Sequence, residues 1–325
     1  MRLGEVYDRG MNHPVVIICG PTGVGKTRLA AKLASWLPVE VVSADSRQLY
    51  RGMDIGTGKP TREEREAVPH HLLDLVNPDE PYHAARFLSD AEQAIGEISQ
   101  RGSLPLVVGG TGLYIRALVQ GLVPAPPADP RVREALREAA ERDGAHALHA
   151  RLQAVDPVAA KRIHPRDSVR IIRALEIYTL TGRPRGLPTH WHTARQPSHV
   201  LMIGLTMDRE ALYRSLEARV DQMIADGLAH EVRSLLRAGY SESLSSMRGI
   251  GYHHLAMAFR GQWSMEDAIR TMKRDTKRYA KRQWTWFQRE PGIRWLQADA
   301  PNLDLSARTM IASWLPVTAD LALTR

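Results

Sequence analysis

The sequence predicts an α/β fold in which a parallel sheet carries helices on both faces and an all-helical domain is inserted into the chain. In the first hundred or so residues, short apolar runs alternate with helical patterns, as expected for a parallel sheet covered by helices. A glycine-rich turn, Gly20 to Thr27, lies between the first apolar run and a helical pattern. Near Pro124 the strand pattern stops, and it returns only near Val200.

Four apolar runs are predicted as strands because they are short and rich in β-branched residues. They are Val15 to Cys19, Val39 to Val42, Leu104 to Val108 and Val200 to Leu205. Helical periods follow the glycine-rich turn and also fill the region from 132 to about 180. Asp129-Pro130 is a typical helix start, and residues 181–184 are a typical stop. Two more long helices are predicted, near 209–238 and near 264–288.

The strand pattern sets the predicted domain boundaries. Residues 1–123 and 200–325 form the α/β core with its carboxyl-terminal helices, and residues 124–199 form the helical insertion. The proline-rich stretch Pro124 to Pro130 marks the first boundary. In a core of this kind, the loops at the carboxyl ends of the strands carry the chemistry.

Composition narrows the class of protein. The chain has 325 residues, of which 43% are hydrophobic, and this size favours a large domain with a smaller one attached. A formal charge of +8 favours a polyanionic partner such as nucleic acid. The single cysteine, Cys19, excludes an internal disulfide, and no apolar run is long enough for a signal peptide or a membrane span. We expect a cytoplasmic monomer with no membrane partner.

The turn after the first strand has the residue types of a phosphate-binding loop, or P-loop. Its glycines let backbone amides turn toward oxyanions, Lys26 supplies a positive charge, and the Thr27 hydroxyl is placed to ligate Mg²⁺ at a helix start. The predicted phosphate-binding residues are Gly20, Pro21, Thr22, Gly23, Val24, Gly25, Lys26 and Thr27. The loop alone does not say whether the phosphates belong to a nucleotide or to another molecule.

A carboxylate, Asp45, follows the second predicted strand. Because neighbouring parallel strands stand about 5 Å apart, we expect Asp45 to lie beside the phosphate loop. From the residues alone, two interpretations have equal weight. Asp45 is either a helix cap or Mg²⁺ ligand, or else a general base.

The third predicted strand ends in Gly109-Gly110-Thr111 rather than in an acid. P-loop enzymes that hydrolyse nucleotides often place an acidic residue there to organise Mg²⁺ and water, so the glycines argue against hydrolysis. They indicate either a tight turn with a closely packed helix, or a backbone that a bulky substrate approaches.

The last long predicted helix carries a stripe of cations at four-residue spacing. Its members are Lys273, Lys277, Lys281, Arg274, Arg278 and Arg282. The run lacks the interleaved acids that normally relieve repulsion, which favours contact with a nucleic-acid backbone over a solvated face. The histidine pairs at 70–71 and 253–254 lack a third ligand, so we expect structural roles for them.

Seven segments, taken in order, resemble those of bacterial tRNA dimethylallyltransferases. They are GPTGVGKT (20–27), VSADSRQLYRGMDIGTGKP (42–60), PHHLLDLVNPDEPYHAARF (69–87), LPLVVGGTGLYIRAL (104–118), RIHPRDSVRIIRALE (162–176), RGIGYHH (248–254) and KRQWTWF (281–287). The resemblance implies transfer of a dimethylallyl group from dimethylallyl diphosphate to the exocyclic N6 amine of the adenine 3′-adjacent to the tRNA anticodon, with release of diphosphate.

The resemblance also assigns roles to residues around the loop. It implies that residues 20–27 hold the donor diphosphate with Mg²⁺, and that Asp45 takes a proton from the adenine amine. Lys26, Thr27, Thr111 and Arg219 would complete the catalytic set, and a cation beside a leaving diphosphate stabilises the charge that develops there. Relatives often carry serine where this chain has Val24, so a hydroxyl that would touch the phosphate is missing.

Further positions correspond to tRNA contacts, and the insertion is similar to a mobile domain that clasps the anticodon stem-loop. The positions are Asp45, Ser46, Arg47, Gln48, Thr111, Arg133, Val169, Arg170, Ile171, Ile172, Arg173, Arg248, Gly249, Ile250, Gly251, Tyr252, His253, Lys281, Arg282, Gln283 and Trp284.

Two other functions compete with prenyl transfer. A P-loop small-molecule kinase with an unrelated basic appendage predicts turnover of ATP and no labelling of RNA by a prenyl donor. A non-catalytic RNA-binding module predicts that replacing Asp45 changes no activity.

Overall fold

The computed structural model of the chain describes residues 13–184, 186 and 199–315. Residues 1–12 and 316–325 of the predicted core, and residues 185 and 187–198 of the predicted insertion, lie outside the described residues. The pattern of contacts divides the chain into two compact units. Their described parts are residues 13–119 with 199–315, and residues 120–184 with 186.

The larger unit is built on a six-stranded sheet in which every pairing is parallel. The strands are β1 (Val15–Cys19), β2 (Val39–Ser43), β3 (His70–His71), β4 (Leu104–Gly109), β5 (Val200–Thr206) and β6 (Ile293–Gln297). The four predicted strands are confirmed, and the α/β class with them. β3 and β6 were not predicted, because β3 has two residues and β6 mixes polar and apolar ones.

Thirteen helices accompany the strands in the described residues. They are α1 (Lys26–Ala34), α2 (Arg62–Ala67), α3 (Ala84–Gln100), α4 (Gly112–Gln120), α5 (Pro130–Asp143), α6 (Ala145–Val155), α7 (Pro157–Arg162), α8 (Ser168–Thr181), α9 (Arg209–Ala225), α10 (Leu228–Arg237), α11 (Tyr252–Phe259), α12 (Met265–Phe287) and α13 (Leu303–Trp314). One helix over 209–238 was predicted, and this is wrong. The left-handed backbone of Gly227 (φ 100°) separates α9 from α10.

The sheet is held by apolar side chains on both of its faces. All five residues of β1 are fully buried, as in a strand covered from both sides. Val16 and Ile18 pack in one cluster with Leu29 and Leu33 of α1 and with Ile311 of α13. Burial of each such side chain contributes about 1.5 to 3 kcal/mol. This packing fixes the carboxyl ends of the strands relative to one another.

The strand order is β3-β2-β4-β1-β5-β6, so β4 lies between β1 and β2. The expectation that the β1 loop and the residues after β2 stand on adjacent strands is therefore wrong. Asp45 and the phosphate loop are separated by one strand, and β4 ends there in Gly109. A Cβ atom at Gly109 would lie 2.1 Å from the carbonyl oxygen of Ala44, so only glycine lets β4 pass this close to the turn after β2.

The smaller unit contains α5 to α8 and, within its described residues, no strand. Asp129 caps α5 by accepting hydrogen bonds from the amides of Arg131 and Val132, as its place before a proline predicts. Gly182 ends α8 in the left-handed region. The four helices share a core that includes Leu136, Leu148, Leu152, Ile171 and Leu175.

Glu40 of β2 provides a test of how the sheet edge is stabilised. It accepts hydrogen bonds from Arg101 at 2.7 and 3.0 Å, and it lies 2.7 Å from Nε2 of His71. Arg101 above all, together with His71, lowers the pKa of Glu40 from 4.5 to about 2 against the effect of burial. A lowered carboxylate pKa stabilises the fold above the unfolded pKa, and that stability is lost as the pH falls toward 2.

We predict that Glu40→Gln lowers the free energy of unfolding at pH 7 by about 2 to 3 kcal/mol. The difference from wild type should shrink by more than half at pH 3, measured by urea unfolding at both pH values. Glu66→Gln, at an exposed i,i+4 pair with Arg62, is the matched control and should have little effect. An equal difference at pH 7 and pH 3 would contradict this account.

Candidate active site

A cavity of about 310 Å³ opens at the carboxyl ends of β1, β2 and β4. The loop after β1, the turn after β2 and a residue of α9 meet around it. The predicted residues that line it are Thr22, Gly23, Gly25, Lys26, Thr27, Asp45, Gln48 and Arg219. The fold thus brings the predicted phosphate loop, the predicted carboxylate and the predicted arginine into one cavity.

The phosphate loop depends on backbone conformations that favour glycine. Gly25 caps α1 with φ 93°, in the left-handed region, and a Cβ atom at Gly20 would lie 2.6 Å from the carbonyl oxygen of Leu205. The loop leads directly into α1, whose first residue is Lys26. A helix start of this kind presents free amides and a partial positive charge to an anion.

Lys26 holds its ammonium inside the cavity. Nζ donates hydrogen bonds to the carbonyl oxygens of Gly20 (3.1 Å) and Pro21 (2.8 Å). Burial lowers the pKa of Lys26 from 10.5 to about 8, Asp45 acts in the opposite direction, and Arg219 adds to the lowering. The two carbonyls leave one N–H of the ammonium available to a ligand.

Arg219 of α9 brings a second cation to the same cavity. Burial lowers its pKa, and Asp45 and Glu64 partly offset the effect, although an arginine remains charged at neutral pH. Within the described part of the chain, its guanidinium makes no hydrogen bond or ion pair. The guanidinium lies close to the backbone of Gly58, because a Cβ atom added at Gly58 would lie 1.8 Å from Nη2 of Arg219. A half-buried guanidinium of this kind is suited to receive an anion.

Asp45 lies where a turn holds one of its oxygens and leaves the other available. Oδ1 accepts a hydrogen bond from the amide of Arg47 at 2.9 Å. No hydrogen bond to Oδ2 occurs in the described residues. The carboxylate is close enough to oppose the lowering of the pKa of both Lys26 and Arg219. The geometry fits a proton acceptor on the side of the cavity across from the loop.

The neighbours of Asp45 are held by internal hydrogen bonds. The Thr111 hydroxyl accepts from the amide of Ser46 at 3.0 Å, and it donates to the Ser46 hydroxyl at 3.3 Å. The Gln48 amide accepts from Ser43 and donates to the carbonyl of Gly58, both at 3.0 Å. Thr111 and Gln48 therefore fix the shape of the turn that presents Asp45.

The glycines at 110 and 112, after β4, accommodate a closely packed helix, whereas Gly109 lines the cavity. A Cβ atom at Gly110 would lie 2.2 Å from Nε2 of Gln283, and one at Gly112 would lie 2.2 Å from Nε1 of Trp286. Both side chains belong to α12. The bare backbone at 110–112 lets this helix pack closely.

Val24 does not face the phosphate site with its side chain. It is 1% exposed and belongs to the hydrophobic cluster under the sheet. The valine side chain is thus part of the hydrophobic core and not of the cavity lining. Any contribution of Val24 to ligand binding comes from its backbone amide.

Sequence reasoning missed the loop from 57 to 60 and two residues beyond it. The missed lining residues are Thr57, Gly58, Lys59, Pro60, Glu64 and His70. The Lys59 ammonium is buried and fully paired, with the carbonyl of Tyr50 (2.6 Å) and with carboxylate oxygens of Asp54 (2.6 Å) and Asp74 (2.5 Å). The sequence Gly58-Lys59-Pro60 was the feature that could have indicated a functional loop, although nothing in it indicates the partners of Lys59.

Several cations of the α12 stripe form ion pairs with acids. The expectation that the stripe lacks balancing acids is therefore wrong. Lys273 pairs with Asp221, and Lys277 pairs with Glu217 at 2.6 Å, both acids lying on α9. Asp275 contacts Arg274 and Arg278. Lys281 and Arg282 are exposed and make no ion pair in the described residues.

Gln283 is not placed to contact RNA, contrary to the expectation from resemblance. It is 6% exposed, and both atoms of its amide are engaged inside the protein. Trp284 is half-buried and packs against Trp295 with ring centroids 5.3 Å apart.

The segment 248–253 is anchored to the loops of the site. Arg47 donates to the carbonyl of Ser245 at 2.7 Å. Tyr252 is 1% exposed, and its hydroxyl donates to Glu231 at 2.6 Å. Glu231 also accepts hydrogen bonds from the backbone amides of residues 54, 55 and 56. Arg248 is exposed, whereas the buried side chain of Tyr252 is not available to a macromolecule.

In the helical unit, the predicted contact residues have different environments. Arg133 and Arg173 both pair with Glu176, which is fully buried. Ile171 is also fully buried, so its side chain cannot contact RNA. Arg170 is exposed, and Val169 is 80% exposed.

The predicted histidine pairs show no metal geometry. His71 contacts Glu40, and His254 contacts Asp275. The described residues contain no group of three or more His, Cys, Asp or Glu side chains that could hold a metal ion. None of the described helices is long and apolar enough to cross a membrane.

Comparison with known families matches nearly the whole described chain. A family described as IPP transferase matches residues 48–290. A second family, described as isopentenyl transferase, matches residues 13–75.

Individual relatives agree with the family matches. The tRNA dimethylallyltransferase of Geobacter metallireducens is 51% identical over 284 residues, which is 87% of this chain and 92% of the relative. The tRNA dimethylallyltransferase 1 of Syntrophotalea carbinolica is 52% identical over 88% of this chain and 91% of the relative.

Solved structures give the same picture. The tRNA isopentenylpyrophosphate transferase of Bacillus halodurans has a TM-score of 0.69 and 41% identity, and the match covers 93% of this chain and 97% of that one. A eukaryotic dimethylallyltransferase acting on tRNA has a TM-score of 0.76 and 29% identity, covering 93% and 79%.

Because the pKa of Lys26 is about 8, the free cavity loses a positive charge as the pH rises through 8. We predict that the affinity for inorganic diphosphate, measured by calorimetry with saturating Mg²⁺, falls by about tenfold between pH 7 and pH 9. Lys26→Met should bind diphosphate weakly and show only the titration of the ligand itself. An equally steep decline in Lys26→Met would contradict the assignment to Lys26.

Proposed function

Because this chain belongs to the IPP transferase family, we propose that it transfers a dimethylallyl group to tRNA. The donor is dimethylallyl diphosphate, the acceptor is the N6 amine of the adenine 3′-adjacent to the anticodon, and diphosphate is released. The observation that carries the proposal is one cavity lined by the phosphate loop, by Arg219, which has no ion pair among the described residues, and by the Asp45 carboxylate. The names of the relatives support the choice of donor and acceptor.

The phosphate loop would hold the leaving group. As the allylic carbon–oxygen bond breaks, negative charge accumulates on the diphosphate. Lys26, Arg219 and the amides at the start of α1 already face this position, so they stabilise the charge without reorganising. An interaction that strengthens as the bond breaks lowers the barrier, whereas equal binding of donor and transition state would not.

Mg²⁺ fits the oxygen donors that line the cavity. The Thr27 hydroxyl and the Asp45 and Glu64 carboxylates line this cavity, and Mg²⁺ commonly combines one or two protein oxygens with substrate phosphates and water. Thr27 would therefore hold the ion together with the diphosphate. When bound, it would neutralise part of the charge on the leaving group.

Asp45 would act as the general base. The amine nitrogen of adenine attacks the first carbon of the dimethylallyl group, the carbon–oxygen bond breaks, and Asp45 takes one proton from the nitrogen. An aryl amine is a weak nucleophile, so a carboxylate in hydrogen-bond reach both orients it and removes charge. The adenine must leave its stack to reach such a cavity.

The kinase alternative has less support. β4 ends in Gly109 and is followed by glycines that accommodate α12, and not by an acid that would organise Mg²⁺ and water. The relatives are named as transferases acting on tRNA. We also propose that the chain acts as a monomer in the cytoplasm.

Fewer residues are available to contact tRNA than the sequence indicates. On α12 we assign it to the exposed Lys281 and Arg282, and near α11 to Arg248. In the helical unit, the exposed side chains of Val169 and Arg170 are candidates for the anticodon stem-loop. Phosphate contacts of this kind position an RNA and make its binding depend on salt.

We predict that Asp45→Asn lowers the rate of transfer by at least about 100-fold. Asparagine keeps an acceptor for the Arg47 amide and loses the base, so tRNA affinity should stay within about twofold. The measurement is incorporation of radiolabelled dimethylallyl groups into unmodified tRNA, with filter binding for affinity. Wild-type protein that turns over ATP and leaves the RNA unlabelled would support the kinase instead. A collapse of tRNA binding in the variant would contradict the base assignment.

We predict that Lys281→Ala with Arg282→Ala weakens tRNA binding and reduces the slope of log affinity against log salt by about 0.7 to 0.9 for each lost phosphate contact. Lys277→Ala is the matched control, because its charge is already paired with Glu217. Filter binding at several salt concentrations tests this difference. An unchanged slope in the double variant would show that Lys281 and Arg282 face solvent and do not contact RNA phosphates.

A further inference from the structure

Gln283 links two loops of the active site from within α12. Its Oε1 accepts a hydrogen bond from the amide of Thr22, in the phosphate loop, at 2.9 Å. Its Nε2 donates to the carbonyl of Gly110, after β4, at 2.9 Å. The side chain is 6% exposed. One amide therefore joins the ends of β1 and β4 at the wall of the cavity.

The geometry points to Gln283 as a positioning residue that holds the phosphate loop for diphosphate binding. The effect that we expect on prenyl transfer rests on the proposed function. The effect that we expect on diphosphate binding does not. The Thr22 amide is already occupied by Gln283, so it does not bind phosphate. Instead, its hydrogen bond sets the direction of the loop that carries Gly25 and Lys26.

The fit around Gln283 is close on the side of Gly110. An added Cβ atom there would meet Nε2 of Gln283 at 2.2 Å and Cδ of Gln283 at 3.3 Å, and the carbonyl oxygen of Gly20 would lie 3.4 Å away. The backbone of Gly110 is outside the left-handed region. Alanine at this position is thus opposed chiefly by the Gln283 amide, and it offers a second way to displace that amide.

Helix geometry separates Gln283 from the cations of α12. Successive residues turn by about 100°, so Lys281 points to the side opposite Gln283, in agreement with its exposure. The same helix presents a cation outward and a buried amide inward. The helix thereby links the surface assigned to RNA with the leaving-group site. Substitutions at Lys281 and at Gln283 can test the two sides separately.

The test compares diphosphate binding with tRNA binding in Gln283→Met, which keeps the volume and removes both hydrogen bonds. We expect inorganic diphosphate with Mg²⁺ to bind about tenfold or more weakly, and the KM for the prenyl donor to rise by a similar factor. The Kd and KM for tRNA should stay within about twofold. Gln262→Met, in the exposed turn before α12, is the matched control and should change neither.

Gly110→Ala tests the same claim without altering α12. It should weaken diphosphate binding selectively, and it should add little in a Gln283→Ala background, where the obstructing amide is gone. Thermal unfolding identifies any variant that fails to fold, in which case the other variant decides. Weaker tRNA binding with unchanged diphosphate binding, or equal loss of both, overturns the inference. Because diphosphate binding is measured without transfer, failure of wild-type protein to prenylate tRNA would reject the proposed function and leave this inference intact.

Discussion

The site depends on the half-buried ammonium of Lys26, which makes no ion pair within the described residues. The Lys26 ammonium has two backbone carbonyls as partners, and burial lowers its pKa to about 8. Arg219 lies against the same cavity, without an ion pair in the described residues. Withdrawing cations from water costs free energy, and the nearby Asp45 carboxylate offsets that cost only in part. In the proposed function, a diphosphate would recover that cost on binding, and would recover more of it as negative charge develops on the leaving group.

The sheet allows this cation to face a carboxylate across an intervening strand. β4 separates the loop after β1 from the turn that holds Asp45, and Gly109 lets β4 pass close to that turn. Had β4 ended in a larger residue, its side chain would collide with the backbone of Ala44. The absence of a side chain at this position is thus a structural requirement of the site, as well as an argument against nucleotide hydrolysis.

Local sequence patterns predicted much of the fold and the centre of the site. Strand runs, the cap at Asp129 and the glycine-rich turn depend on neighbours in the chain, and the structure has them where they were expected. The position of β4 was missed because strand order is set by long-range packing. The pairing of Lys277 with Glu217 was missed for the same reason, since α9 and α12 are 60 residues apart in sequence at this contact. Gln283 was assigned to RNA because a motif does not show which side of a helix is buried.

The most direct test of the central claim is the distance from Asp45 to the adenine amine in a structure with tRNA, Mg²⁺ and an unreactive diphosphate analogue. The account predicts Oδ2 of Asp45 within about 3.2 Å of N6, with the diphosphate on Lys26 and the amides of the loop. An adenine held elsewhere, or a diphosphate bound away from residues 20–27, would contradict it.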